Sequence, residues 1–111
     1  MNPAKVIRER VKALTDLPNI GPAMAADLRR LGIHTPAQLL GCDPYAMYDE
    51  LCAQTHTRHD PCVIDVFLSV TRFMAGDAPQ PWWHYTAERK AACAVPDTHA
   101  DRIPAPRLDL P

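Results

Sequence analysis

Six of the twelve prolines lie before residue 62, and most of them stand where a helix would begin. Proline at the first helical position wastes no hydrogen bond and presets φ, so it marks starts rather than interiors. Asn2-Pro3, Gly21-Pro22, Thr35-Pro36, Asp43-Pro44 and Asp60-Pro61 each precede an apolar pattern of helical period. Gly32, Gly41 and Gly76 supply the stops. This punctuation predicts five short helices within residues 1–76, packed around one core. Val6, Ile7, Val11 and Leu14 line the first, and Met24, Ala25, Leu28 and Leu31 the second. Thr35 caps a third that ends at Leu40. Tyr45, Met47, Tyr48, Leu51 and Cys52 pack from the fourth. The fifth, from Val63 to Met74, is apolar almost all round and is the expected centre of the bundle. No strand-like alternation competes, so the fold class is all-α.

Residues 77–93 hold both tryptophans, in PQPWWHYTAERKAAC. They read as an extension pinned to the bundle by Trp82, Trp83 and Tyr85, with Thr86 able to cap a short helix. Residues 94–111 are rich in Pro and Asp and read as a flexible tail. The chain has 111 residues, enough for one domain. There is no signal-peptide pattern and no apolar run long enough to span a membrane. The cytoplasm is therefore the expected compartment, and Cys42, Cys52, Cys62 and Cys93 are expected to be reduced.

Net charge is −1, which announces no nucleic acid by itself, but the charge is uneven. Residues 1–33 carry six basic and three acidic residues, whereas residues 34–111 carry six basic and ten acidic. Only the N-terminal third suits a phosphate electrostatically. Within it lies LPNIGPAMAADLRRLGI, residues 17–33. Pro18-Asn19-Ile20-Gly21 is a turn. Asn tolerates the left-handed region, Ile20 is a buried wedge, and Gly21 allows positive φ or a close approach. Pro22 then opens a helix whose first N–H groups lack internal partners, which makes a generic anion site. The expected DNA-phosphate contacts are Asn19, Ile20, Gly21, Ala23 and Met24, with Arg29 and Arg30 further along the helix. Such contacts position a protein on DNA without reading its sequence.

These residues resemble the helix-hairpin-helix motif of DNA repair and recombination proteins. The usual pattern is Leu-Pro-Gly-Ile-Gly, then a helix with Ala and Leu facing in, then Gly-Ile. Asn19 stands where the first hairpin glycine is usual, and Ala23 where a basic residue often follows. The Asp60-Pro61-Cys62-Val63, Asp65-Val66-Phe67 and Trp82-Trp83 elements extend the likeness over residues 5–91. They are similar to the pathogenicity-locus family of small bacterial helix-hairpin-helix proteins, some labelled mitomycin-resistance proteins. The resemblance implies a compact helix-hairpin-helix (SAM-like) fold and a link to DNA damage, with no established activity. Such motifs usually act in pairs across a minor groove. The fourth and fifth helices would be the second unit, but their connection, 54–60, has no glycine hairpin. A full duplex grip would then call for a homodimer or a partner protein.

Other patterns have plainer readings. Cys52, His56, His59 and Cys62 match structural zinc in number but not in spacing, and the cysteines fall on apolar helix faces. No metal or other cofactor is expected. Lys5, Arg8, Arg10 and Lys12 read as a solvated helix face or as a second phosphate contact. Trp82 and Trp83 read as a clamp before a base-stacking platform. No nucleophile–base arrangement or nucleotide loop is present, so the chain is not expected to be an enzyme. Non-specific DNA binding is the first reading. A protein–protein interaction module with a structural hairpin is the second, favoured by Ala23 and the acidic 34–75 segment.

Overall fold

A computed structural model describes residues 2–93, and the expectation of a flexible tail over 94–111 falls outside them. All regular structure among the described residues is helical. Four α-helices form: α1 (Pro22–Arg30), α2 (Pro44–Thr55), α3 (Cys62–Met74) and α4 (Thr86–Ala92). Short 3-10 turns join them at Pro3–Lys5, Arg8–Arg10, Leu14–Asp16, Pro36–Leu39 and Trp82–Tyr85.

The expected first helix is therefore corrected to three single turns. Val6, Ile7 and Val11 break them, each extended at ψ 131°, 116° and 111°. All three are β-branched and lose side-chain freedom in a helix, so local preference favours the extended form. Tertiary bonds then hold this path. The Arg8 guanidinium donates to the carbonyl of Phe73, in the last turn of α3, and to that of Asp77, beyond its end, and lies 4.1 Å over the Phe73 ring. Phe73 O, which also accepts from Gly76 N at 3.1 Å, thus gains a second donor at the helix end. The expected third helix is likewise a single turn. Gln38 Oε1 accepts from the His34 and Thr35 N–H groups, and the chain is already extended at Leu40.

The other starts and stops hold. Gly32 sits at φ +84°, where only glycine is unstrained, and the Ile33 N–H reaches back to Leu28 O at 3.0 Å. Ile33 is buried there, closing α1. Asp43 caps α2 by accepting from Tyr45 N and Ala46 N at 2.9 and 3.4 Å. α3 is the core: Ile64 through Thr71 and Phe73 are all buried. Leu14, Leu17, Ile20, Ala25 and Leu28 from the N-terminal half share one apolar cluster with it.

The extension packs as expected in part. Tyr85 is buried and Trp82 packs partly against the core, but Trp83 is exposed. α4 buries no residue of its own. It is fastened by charge instead. Asp65, fully buried in α3, accepts from Arg89 Nε at 2.9 Å and from the Thr86 hydroxyl at 2.8 Å. Thr86 is thus a tether and does not cap α4. Arg89 faces inward. Asp65 holds the Arg89 guanidinium above its ordinary pKa, so this cation is fixed in its charged form. Arg72 pairs with Glu88 at the surface.

Candidate nucleic-acid interface

The hairpin begins at the Leu14–Asp16 turn, where Asp16 accepts from Lys12 N and Ala13 N at 3.0 and 2.8 Å. Those two bonds hold its carboxyl below the usual carboxylate pKa. Leu17 and Pro18 are buried, and Asn19 turns the chain at φ +68°. Ile20 is wholly buried, as a wedge should be. Its N–H bonds Leu17 O, so neither its side chain nor its amide is open to a ligand.

Asn19 has a different task from the expected phosphate contact. Its Nδ2 donates to Ser69 Oγ and to Gln80 O, both at 2.9 Å, and its Oδ1 accepts from Trp82 N at 3.2 Å. One side chain thus ties the hairpin to α3 and to the C-terminal extension. A glycine here would take the turn and make none of these bonds. Asn19→Asp keeps the shape and the tolerance of positive φ, but sets a carboxylate against the Gln80 carbonyl. It is expected to destabilise by about 1–3 kcal/mol, measured by urea unfolding. An unchanged midpoint would show that the tie carries no weight.

Gly21 precedes α1 with φ −95° and ψ −175°, an extended conformation open to any residue. A Cβ built on it would meet nothing within 4 Å. The positive-φ reading is therefore set aside, and close approach from outside remains. No side chain caps α1, and Pro22 has no N–H. Among the described residues, the N–H groups of Gly21, Ala23 and Met24 have no internal acceptor. Gly21 and Ala23 are exposed and Met24 half-buried. Three unpaired donors thus gather at the positive end of α1.

The other two long helices lack this opening. Asp43 fills the N-terminus of α2, and Asp60 accepts from Cys62 N at 2.9 Å at the start of α3. The Cys62 backbone bond holds the Asp60 carboxyl below its ordinary pKa, so the anion is already in place. The α2–α3 connection also turns at His56, φ +53°, and Tyr48 donates to His59 O inside it. This second hairpin carries its own negative charge where a phosphate would sit.

Arg29 and Arg30 are exposed in the last turn of α1. They stand on the order of 10 Å along the axis from the free amides. The structure does not join them to the amide site, and Arg30 makes a loose 3.8 Å pair with Asp27. Lys5, Arg10 and Lys12 are exposed, whereas Arg8 is spent on α3. Cys52, His56, His59 and Cys62 do not converge, and no metal-holding group of His, Cys, Asp or Glu occurs among the described residues. Cys52 is buried and bonds the His59 backbone, while the His59 ring meets Thr55 Oγ1 at 2.9 Å. All four cysteines are free thiols, and burial foremost pushes the Cys62 thiol up. No helix among the described residues is long and apolar enough to cross a membrane.

Fold and site together define a small protein, helical throughout its described residues, with an open, amide-rich turn and a charge-fastened C-terminal extension. The chain belongs to the pathogenicity-locus family, Cdd1, whose family model matches residues 7–91. It is similar to mitomycin resistance protein McrB of Streptomyces lavendulae, with 41% identity over 81 residues, covering 73% of this chain and 77% of that one. No solved structure matches it.

Proposed function

We propose that this chain is a non-catalytic protein that binds DNA without sequence preference through backbone phosphate. The Leu14–Asp16 turn, the Leu17–Gly21 hairpin and α1 form its helix-hairpin-helix unit. The N–H groups of Gly21, Ala23 and Met24 hold the phosphate, and Arg29 and Arg30 meet a neighbouring one. The supporting observation is Gly21 itself. Neither backbone angle nor internal packing requires a glycine there, and its lack of a side chain leaves the donors open. The likeness to a protein named for mitomycin resistance fits a role in DNA damage.

The single open helix end and the acidic second half predict modest affinity that falls steeply with salt. Fluorescence anisotropy at low salt with duplex, nicked and single-stranded DNA tests the reading. Gly21→Glu places a carboxylate among the donors and is expected to lower affinity at least tenfold, about 1.4 kcal/mol or more. Gly21→Ala is expected to weaken binding while changing stability by no more than about 1 kcal/mol. Absence of wild-type binding, or binding unchanged in Gly21→Glu, removes the proposal.

One observation favours a second reading, a protein-interaction module. Leu31, Ile33, Cys42, Ala46 and Met47 line a shallow groove of about 370 Å³. A stoichiometric partner lost in Ala46→Arg, together with no DNA affinity, would select it.

A further inference from the structure

Among the described residues, Trp83 is the only Trp, Tyr or Phe whose ring is exposed, at 62%. A Trp ring presents a large apolar area, and most tryptophans are largely buried. The neighbouring Trp82 follows that rule and packs against the core. Trp83 nonetheless has a fixed neighbour on one side. Its ring stands edge-to-face on Trp82, with centroids 5.5 Å apart and an interplanar angle of 83°. Its backbone lies in the Trp82–Tyr85 turn, closed by His84 N on Pro81 O at 3.0 Å.

The same turn is bonded to the hairpin. Asn19 grips Gln80 O on one side of Pro81 and Trp82 N on the other. Asn19 is two residues before Gly21, and Trp83 is one residue after Trp82. The Asn19 side chain thus ties the segment that carries the exposed ring to the turn that leads into the open amides. A phosphate donor set and a rigid aromatic face are the two parts from which single-strand binding sites are made. A duplex offers phosphates but keeps its bases stacked away.

We propose that Trp83 is a stacking platform for an unpaired base, and that the DNA this protein prefers carries a single-stranded segment beside its phosphate contact. The inference rests on the phosphate-binding reading of the hairpin and adds to it a ligand structure. Trp82 supports the platform and Trp83 is its face. Asn19 keeps platform and hairpin in register. Any base will serve, because every base has a π-face, so the preference is for structure and not for sequence.

The test uses the full chain with three fluorescein-labelled probes: a blunt duplex, the same duplex with an oligo-dT overhang, and oligo-dT alone. The overhang probe is expected to bind more tightly than the blunt one. Trp83→Ala is expected to lower overhang and oligo-dT affinity roughly fivefold to 100-fold, leaving blunt-duplex affinity unchanged. Trp83→Tyr should restore most of the loss. In a Trp82→Phe background, where Trp83 is the sole tryptophan, oligo-dT should quench its fluorescence. Equal loss on all probes, or no loss on any, overturns the inference while leaving the hairpin reading to Gly21→Glu. Wild-type protein that binds none of the probes ends both. Concentration-dependent dimerisation abolished by Trp83→Ala would reassign the ring to a protein contact and overturn the platform.

Discussion

Replacing Asp65 with alanine is expected to cost about 3–5 kcal/mol of folding stability. Asp65 is fully buried in the central helix, and the Arg89 side chain that faces it is only 15% exposed. Attraction between them offsets the desolvation of both, so removing one partner leaves the other charge poorly solvated. Thr86 loses its acceptor at the same time. α4 buries no side chain of its own, so apolar contact cannot hold it in place of these bonds. The variant should therefore shed α4 and loosen the Trp82–Tyr85 turn ahead of it. The urea midpoint should fall, and tryptophan emission should shift to the red before the helical signal of the core melts. The double variant Asp65→Leu with Arg89→Met should recover most of the loss, because a matched apolar pair needs no charge compensation. If Asp65→Ala unfolds at the wild-type midpoint, the extension is held by something other than this pair.

Ile20→Ala is the second large effect, at about 2–5 kcal/mol. Ile20 is wholly buried in a turn that also buries Leu17 and Pro18 and leaves Gly21 exposed. Truncation leaves a cavity that the neighbouring Leu17, bound into the same turn, is poorly placed to fill. Ile20→Val should cost only about 0.5–1.5 kcal/mol, because it removes one methylene and keeps the branch. Both are read from chemical denaturation. A loss below about 1 kcal/mol for the alanine variant would show that the hairpin is not seated by its wedge. Such a loosened turn would also blur the alignment of the Gly21, Ala23 and Met24 amides. DNA affinity is then expected to drop alongside stability, whereas Gly21→Glu should reduce affinity with the fold intact.

The helix boundaries that carry proline and glycine signals were legible from the chain. Pro22 and Gly32 bound α1, Asp43 and Pro44 open α2, and the apolar run from Val63 runs through a buried helix. These signals act within a few residues, through φ restriction, capping and positive φ. In the first segment the apolar spacing suits a helix while the β-branched Val6, Ile7 and Val11 do not. Arg8, bonded 65 residues away to Phe73 O, resolved the conflict in favour of separate turns. Asn19 shows the same limit at the site. Its tolerance of the left-handed region could be read from its type. Its three bonds to Ser69, Gln80 and Trp82 could not, because no local pattern reports a partner 50 to 63 residues distant.

The sequence by itself determined the helical character of the described residues, a turn at residues 17–21 seated by Ile20, and the helix start that leaves amides open, because each of these depends on conformational preferences of adjacent residues. The tertiary structure alone decided that Arg8 is drawn to the end of α3, that Arg89 faces inward to Asp65, and that Trp82 is packed while Trp83 is left in water. Those outcomes depend on which distant groups compete for the same hydrogen bonds and the same buried volume, and only the folded chain brings the competitors together.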